Sequence, residues 1–428
     1  MAAVDVRYDE PEVRVTPPGP LARAVIAKSA AVMSPSCHSE FPLVMERGEG
    51  VWVWDVDGNR FLDLFAGIAV SAAGHNHPAV IAAVQAQVEK FLHAGGADVH
   101  YAVMADLAEA LARLGPGKGR KRVLFTNSGT ESVEAAIKLA RYHTARPAVI
   151  AFYGAFHGRT AGSLALTASR SRYRRHMGPF MAEVYHAPFG DPDGVQRLLD
   201  HVVHPDDVAA IVVEPIQGEG GYRFSPDGFL AALRSIADHH GILLIADEVQ
   251  SGLGRTGRMW AVEHWGVAPD ILVTSKGLAA GIPLGALIAP EEIMTWPPGS
   301  HGSTAAGNPL ACAAALAVLE LVEGGLVDHA ARAGKVLLDG VRELAARHRM
   351  LQNPRGLGLM VGVDVVDDEG RASPTRRNAL VQEFFQAGLL AIGAGNATLR
   401  FSPPLVISEH EIAAGLRVID RVFGRHKG

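Results

Sequence analysis

Short apolar runs alternate with helical patterns through the middle of the chain, from about residue 100 to residue 290. Apolar runs bounded by turn residues are typical of buried strands, and apolar residues spaced three and four apart indicate amphipathic helices. This alternation predicts an α/β fold with a mostly parallel central sheet and helices on both faces. The predicted strands are Arg122–Thr126, Ala148–Phe152, Ala209–Glu214, Ile242–Asp247, Ile271–Thr274 and Gly285–Ala289.

The two ends of the chain carry a different pattern. The N-terminal part is polar and Pro-rich, with helical spacing at Leu21–Val32. Val51–Leu64 then alternates around Asp57-Gly58, which is typical of a β-hairpin. Strand-like segments and a last helix from Glu409 follow near the C-terminus. We therefore predict an arm and part of a smaller α+β domain over residues 1–75, a large domain over 76–325, and the rest of the smaller domain over 326–428.

Composition limits the classes of function. The chain has 428 residues, 48% of them hydrophobic, and a net charge of −5 from well-mixed acidic and basic residues. No electrostatic footprint for nucleic acid or an anionic membrane is expected. Cys37 and Cys312 have no metal-ligand spacing, so we expect no metal site and a reducing compartment. No apolar run approaches the roughly 20 residues of a membrane span, and without an apolar signal core the expected location is the cytoplasm.

Two charged residues follow neighbouring predicted strands. Asp247 ends one strand, and Lys276 comes directly after the next one. The carboxyl ends of parallel strands meet at one edge of a sheet, where α/β enzymes bind their ligands. Enzymes that use pyridoxal phosphate need a Lys that forms a Schiff base with the cofactor and an Asp that binds its pyridinium nitrogen. The sequence therefore predicts pyridoxal 5'-phosphate as the cofactor. The alternatives are a helix cap for Asp247 and a surface lysine for Lys276.

A Gly-containing turn leads from the first predicted strand into the predicted helix Ser132–Tyr142. Ser128, Gly129 and Thr130 occupy this turn, and a helix N-terminus binds phosphate through its free N–H groups and its dipole. The alternative is an ordinary Ser/Thr N-cap without a ligand.

Aromatic and charged residues follow two further strands. Phe156 could stack on a planar cofactor ring, and Arg159 offers a planar fork for a substrate carboxylate. A core phenylalanine and a surface arginine are the alternatives. Glu214 and Glu219 lie in a Gly-rich turn, and either could instead cap a backbone group or face solvent.

The motifs around these residues resemble the class III aminotransferases, which are fold-type I pyridoxal phosphate enzymes. The similarity runs from about Phe41 to the C-terminus. It is carried, in order, by Asn127-Ser-Gly-Thr-Glu-Ser, Phe156-His-Gly-Arg-Thr, Glu214-Pro-Ile-Gln-Gly-Glu-Gly-Gly, Ala246-Asp-Glu-Val-Gln-Ser-Gly-Leu-Gly-Arg-Thr-Gly and Gly307-Asn-Pro.

The resemblance implies roles around the cofactor. Lys276 would form the Schiff base, and Asp247 would pair with the pyridine nitrogen. Gln250 would approach the ring hydroxyl, while Val249 packs behind the ring and Phe156 stacks in front. The other residues implied in cofactor binding are Ser128, Gly129, Thr130, His157, Glu214 and Thr304.

The resemblance also implies how substrates bind. Arg159 would take a distal carboxylate, and Ile68 would line the pocket. Arg400 would take the α-carboxylate of glutamate, gated by a salt bridge to Glu219. Thr304 would reach the phosphate of the partner subunit, which implies a homodimer, or a dimer of dimers, with shared active sites. Ser303-Thr304-Ala305-Ala306 departs from the more common Thr-aromatic pattern.

Segments such as Phe65-Ala-Gly-Ile68-Ala-Val make the sequence most similar to 4-aminobutyrate aminotransferases within this family. The implied reaction moves an amino group from 4-aminobutyrate, or a similar ω-amino acid, to a keto acid such as 2-oxoglutarate by a ping-pong mechanism. Acetylornithine and ornithine aminotransferases share most of the same motifs. Amino-acid racemases of the same scaffold are a further alternative.

Overall fold

The computed structural model describes residues 8–37, 39–96 and 98–426, and the chain divides into two compact units. The larger unit comprises Pro78–Asp328, and the smaller unit combines Met1–His77 with His329–Gly428. The first seven residues of the predicted N-terminal arm lie outside the described residues.

A seven-stranded sheet forms the centre of the larger unit, in the order β1-β7-β6-β5-β4-β2-β3. Its strands are, in chain order, Lys121–Thr126 (β1), Ala148–Phe152 (β2), Val184–Ala187 (β3), Val208–Val213 (β4), Leu243–Asp247 (β5), Ile271–Thr274 (β6) and Gly285–Pro290 (β7). Only β7 runs antiparallel to its neighbours β1 and β6. The mostly parallel sheet is thus confirmed, and the carboxyl ends of β1 to β6 lie at the same edge.

Helices cover both faces of this sheet, because successive side chains on each strand point to opposite sides. Val149 and Ala151 of β2 pack into a core with the helix Gly129–Thr144. Ala148, Ile150 and Phe152 pack into the opposite core with helices Pro192–His201 and Phe229–His240. The remaining elements of the unit are helices Pro78–Val88, Ala102–Leu114, Ala161–Leu166 and Pro309–Leu321, the 3₁₀ turns Ser171–Tyr173, Pro205–Asp207, Ala261–Trp265 and Lys276–Ala279, the π-helical turn Val322–Leu326, and the hairpin Ile216–Gln217 with Arg223–Phe224.

One helical stretch, Pro309–Arg347, is long and apolar enough to cross a membrane by length and composition alone. Glu320 and Glu323 interrupt it, so it is not an unbroken apolar run of the kind that the sequence analysis excludes. Core helices of soluble proteins pass the same test. Most of Pro309–Leu321 is buried, and it packs against the helices Pro78–Val88 and Ala102–Leu114, so packing inside the unit accounts for its apolar character.

The smaller unit is an α+β structure with two four-stranded sheets. The predicted hairpin at Asp57-Gly58 forms, and the Asp57 carboxylate accepts the backbone N–H groups of Leu21 and Ala22 at the start of the first helix. The first sheet contains Met45–Glu49, Trp52–Asp55, Arg60–Asp63 and Leu389–Leu390, and the second contains Leu351–Leu357, Met360–Val365, Thr398–Phe401 and Ile392–Ala394. The helices are Pro20–Val32, Ala66–Ala69, Pro374–Gln386, Glu409–Gly424 and, from His329 onward, Val327–Arg347.

Residues 66–69 form a left-handed turn, with φ angles of 49°, 61°, 64° and 64°. The left-handed conformation costs an L-residue about 1–2 kcal/mol, and it is least favourable for a β-branched side chain such as Ile68. Asp63 holds the turn, because its Oδ1 accepts two backbone N–H groups at the start of the turn at 2.9 and 2.8 Å. Its Oδ2 lies 2.8 Å from His75 Nε2. Surrounding contacts therefore impose a strained backbone at the residue predicted to line the pocket.

We expect Ala69→Gly to raise the free energy of unfolding by about 1 kcal/mol, because glycine adopts this left-handed conformation without the steric penalty of a Cβ. Urea denaturation would measure the change. Ala135→Gly is the matched control, since Ala135 is equally buried but lies in the right-handed helix Gly129–Thr144. It should lower the free energy of unfolding by a similar amount. Destabilisation by both variants would contradict the strain argument.

Candidate active site

A pocket of about 280 Å³ is built by the segments that follow β1, β2, β4, β5 and β6. Its position matches the crevice that parallel sheets form beyond the carboxyl ends of their strands. It brings together eleven residues that were named from the sequence, with Gly158 as the additional lining residue. The lining consists of Gly129, Thr130, Phe156, His157, Gly158, Arg159, Glu214, Glu219, Asp247, Val249, Gln250 and Lys276.

Four candidate residues are not part of this lining. Ser128 is the N-cap of the helix Gly129–Thr144 and accepts the Glu131 backbone N–H, as the alternative interpretation of this turn expects. Thr304 lies in the segment before helix Pro309–Leu321. Ile68 and Arg400 belong to the smaller unit, where Arg400 is buried in the strand Thr398–Phe401. The roles implied for these four residues remain predictions.

Asp247 and His157 form a buried pair at the floor of the pocket. His157 Nδ1 lies 2.7 Å from Asp247 Oδ2, with both side chains almost fully shielded from solvent. Burial alone would lower the pKa of His157, but the hydrogen bond and the charges of Asp247 and Glu214 together raise it above its ordinary value. The hydrogen bond and the two carboxylates therefore favour the protonated form of His157. Its Nε2 is buried and has no hydrogen-bond partner among the described residues.

Glu214 ties two loops of the pocket together. One carboxylate oxygen accepts the backbone N–H of Phe156 at 2.8 Å, and the other accepts that of Gly218 at 2.9 Å. Burial raises the pKa of Glu214 to about 7, opposed by the nearby His157 cation. Glu214 therefore caps backbone groups, as one of the alternatives from the sequence expects. These hydrogen bonds fix the backbone at Phe156.

Another part of the pocket lining is suited to an anion. The helix Gly129–Thr144 begins there, and a helix N-terminus carries partial positive charge and free N–H groups. A Cβ at Gly129 would lie 2.8 Å from Val249 Cγ1, and one at Gly158 would lie 2.1 Å from Thr130 Oγ1. A larger residue at either position would displace these neighbouring side chains, so glycine lets the backbone approach closely here.

The pocket residues fit the groups of pyridoxal phosphate. Asp247 supplies a carboxylate for a protonated ring nitrogen, and the helix N-terminus at Gly129 supplies donors for a phosphate. Gln250 lines the pocket, and its Oε1 is buried without a hydrogen-bond partner among the described residues. A ring hydroxyl would satisfy that oxygen. Lys276 lines the same pocket and provides the amine that a Schiff base requires.

Arg159 is the arginine of the pocket lining, and its side chain is exposed. Its guanidinium carbon lies 5.4 Å from the ring centre of Phe156 and 4.9 Å from that of Tyr173. Among the described residues, no carboxylate lies within ion-pair distance of this guanidinium. The N–H groups of Arg159 are thus available to a substrate. Sequence reasoning missed Tyr173, although the basic and aromatic run Arg172-Tyr173-Arg174 marked the segment.

Glu248 was also missed, although it follows Asp247 directly. Its buried carboxylate accepts the backbone N–H groups of Ala261 and Val262 and the hydroxyl of Ser251. It therefore closes the loop that begins with Val249 and Gln250. Burial raises the pKa of Glu248 to about 7 from its ordinary value of 4.5.

We expect Glu248 to make the chain less stable as the pH rises from about 4.5 to about 7. A carboxyl whose pKa is raised by folding stabilises the folded state below its unfolded pKa, and this contribution is lost through the folded pKa. The loss would amount to about 3 kcal/mol for a shift of this size. The free energy of unfolding, measured with urea, should fall less across this pH range in Glu248→Gln, because glutamine cannot ionise. The difference from the unaltered chain should be about 3 kcal/mol. The exposed Glu46→Gln should leave the pH dependence unchanged, and an unchanged slope in Glu248→Gln would contradict the assignment.

Known proteins are similar to this chain over most of its length. The profile of the family "Aminotransferase class-III" matches residues 33–423. An acetylornithine aminotransferase from Methanopyrus kandleri is 46% identical over 89% of this chain and 94% of its own length. A 4-aminobutyrate aminotransferase from Escherichia coli is 39% identical over 90% of this chain and 94% of its own.

An alanine/serine racemase from Pyrococcus horikoshii is 36% identical over 98% of this chain and 94% of its own length. The crystal structure of the ornithine aminotransferase from Toxoplasma gondii superposes with a TM-score of 0.87 at 32% identity, covering 95% of this chain and 96% of that one. The similarity therefore extends over nearly the whole chain, and it includes relatives with different substrates.

Proposed function

The chain belongs to the class-III aminotransferases, and from this premise we propose that it transfers the ω-amino group of 4-aminobutyrate, or of a similar ω-amino acid, to 2-oxoglutarate. The observation that carries the proposal is Arg159, whose guanidinium lies at the pocket without a carboxylate partner among the described residues. A planar guanidinium binds a carboxylate with two parallel hydrogen bonds. A donor with a carboxylate far from its reacting amine would complete this arrangement.

Pyridoxal phosphate is the cofactor of this family. When bound, it supplies an aldehyde that takes up an amine and a ring that withdraws electrons from the bond to be broken. Lys276 would hold it covalently, and Asp247 would keep its ring nitrogen protonated. The backbone at Gly129 would hold the phosphate, with Val249 and Phe156 on the two faces of the ring.

Lys276 would also move the proton that amino transfer requires. Once a substrate amine has replaced it, its Nζ would take a proton from the substrate carbon next to nitrogen and return it on the cofactor side. Water would release the first product as an aldehyde and leave the amino group in the pocket, and a keto acid would then accept that amino group in the second half-reaction and release water. Such an exchange of substrates gives ping-pong kinetics.

Both half-reactions would share one pocket, although glutamate carries an α-carboxylate that a ω-amine lacks. We infer that Arg400, only 2% exposed, binds this carboxylate. Leaving a buried guanidinium without an anion costs several kcal/mol. Glu219, which lines the pocket, would supply the anion when the ω-amine is bound.

A second copy of the chain would complete each site. Thr304 does not line the pocket of its own chain. We infer that it contributes to the phosphate site of a partner subunit, which requires a homodimer or a dimer of dimers. Light scattering at high dilution would test this point, and an active monomer would contradict it.

Single-turnover half-reactions with a panel of donors would test the proposed function. The cofactor-loaded chain should convert 4-aminobutyrate to its aldehyde product, and 2-oxoglutarate should then restore the original spectrum. N-acetylornithine belongs in the panel, because the Methanopyrus kandleri relative named for it has the higher identity.

The racemase relative provides the second candidate function, since its similarity covers 98% of this chain. An incubation with L-alanine or L-serine and no keto acid separates the two reactions. Loss of chirality under these conditions, without amino transfer to 2-oxoglutarate in the panel, would overturn the transferase proposal.

A further inference from the structure

The aromatic side chain of Tyr173 stands beside the arginine of the pocket. We propose that Tyr173 is a positioning residue that holds Arg159 in the orientation that receives the distal carboxylate of the donor. This inference rests on the proposed function and deepens it, because it identifies a second residue that selects ω-amino acids over simple amines.

The geometry places three groups in mutual contact. The Arg159 guanidinium carbon lies 4.9 Å from the centre of the Tyr173 ring and 5.4 Å from the centre of the Phe156 ring. The two rings meet edge to face, with their centres 5.7 Å apart. All three distances fall within the range of cation–π and aromatic contacts. Phe156 is itself fixed through its backbone N–H by Glu214.

An aromatic partner has a particular consequence for arginine. A salt bridge to a protein carboxylate would occupy the N–H groups that a substrate needs. A ring attracts the charge of the guanidinium through its π face and leaves those N–H groups available. Arg159 is exposed and has several rotatable bonds, so without the ring it would sample many orientations. Tyr173 can therefore restrict the side chain without competing with the substrate.

The segment that carries Tyr173 places a second positive charge beside the Tyr173 ring. Tyr173 ends the short 3₁₀ turn Ser171–Tyr173, and its backbone N–H donates to the Arg170 carbonyl. The exposed Arg172 places a second guanidinium carbon 5.2 Å from the centre of the Tyr173 ring. Two cations next to one ring favour an anionic group of the substrate over a neutral one.

The experiment compares Tyr173→Ala and Tyr173→Phe with two donors that differ only at the distal end, 4-aminobutyrate and 4-aminobutanol. We expect Tyr173→Ala to raise the KM for 4-aminobutyrate about fivefold, a size typical of an exposed cation–π contact. Its kcat should change by less than about twofold, and the half-reaction with 4-aminobutanol should be unaffected. Tyr173→Phe keeps the ring and should behave as the unaltered chain. Tyr142→Ala, which removes an exposed tyrosine of the helix Gly129–Thr144, is the matched control.

Binding of glutarate, a dicarboxylate without an amine, gives a readout that is independent of turnover. Calorimetry should show weaker glutarate binding in Tyr173→Ala, by about the same factor. In the background of Arg159→Ala, the Tyr173→Ala change should have no further effect, because the two residues act on the same carboxylate.

Equal losses with both donors would overturn the inference, since Tyr173 would then act through Phe156 and the cofactor. An additive effect in the Arg159→Ala background, or no effect in any assay, would also overturn it. Failure of the proposed function looks different, because the unaltered chain would then transfer no amino group from either donor.

Discussion

Lys276→Ala is expected to lower the rate of amino transfer by roughly 10⁴-fold or more, because it removes both the covalent attachment of the cofactor and the group that moves the proton. Lys276 follows β6 and lines the same pocket as Asp247 and the helix N-terminus at Gly129. Pyridoxal phosphate should still bind through these neighbours. The visible absorbance of its Schiff base with lysine should be absent, and single-turnover half-reactions would quantify the loss of rate.

Reduction with borohydride would identify the lysine without measuring turnover. In the unaltered chain, the reduced cofactor should be found on the peptide that contains Lys276, and this label should be missing from Lys276→Ala. Lys138→Ala is the control, since Lys138 is exposed on the helix Gly129–Thr144. Labelling of another lysine, or turnover that survives in Lys276→Ala, would contradict the assignment. Partial recovery of proton transfer by added methylamine would separate the proton-moving role from the covalent one.

The strand ends explain why this site could be predicted from sequence. The apolar runs that became β2, β5 and β6 were identified to within a residue or two, and a chemically distinctive side chain ends each run or follows it within four residues. Because parallel strands end at one edge, correct strand assignment is enough to bring Phe156, Asp247 and Lys276 together. The roles of individual residues came from the resemblance to the family, and the pocket places most of those residues side by side.

Other features could not be predicted, for different physical reasons. Strand β3 lies at the edge of the sheet and is mostly half-buried, so Val184–Ala187 has no continuous apolar run. Glu248 looks like a second catalytic acid next to Asp247, but neighbouring side chains at a strand end point in opposite directions. It caps a loop instead of lining the pocket. Tyr173 contacts Arg159 because the turn Ser171–Tyr173 folds back toward it, and no local sequence pattern predicts that path.

The left-handed turn at residues 66–69 is a further case, since three of its four residues are not glycine. No local preference favours this conformation in Ala66, Ile68 or Ala69. Contacts with the surroundings, among them those of Asp63 with the backbone, hold it. Local sequence rules fail here because the surroundings, and not the residues themselves, determine the backbone.

Asp247→Asn is expected to lower the rate of amino transfer by about 10³-fold while leaving the cofactor attached to Lys276, because it removes one preorganised charge from the site. Asparagine keeps the shape of the side chain but cannot hold a positive charge on the ring nitrogen. Absorbance of the Schiff base would check that the cofactor is present, and single-turnover rates would measure the loss. Asp206→Asn provides a control at an exposed carboxylate.

His157 gives this prediction a second, independent readout. Its pKa is raised because the hydrogen bond to Asp247 and the charges of Asp247 and Glu214 outweigh burial. Asp247→Asn removes the charge of Asp247 and leaves burial opposed by Glu214, so the pKa of His157 should fall below its value in the unaltered chain. Nuclear magnetic resonance of the His157 ring would show this change even without cofactor. If the rate of amino transfer is unchanged and the pKa of His157 is lowered, Asp247 serves only to hold His157. If the rate falls as well, the carboxylate takes part in catalysis.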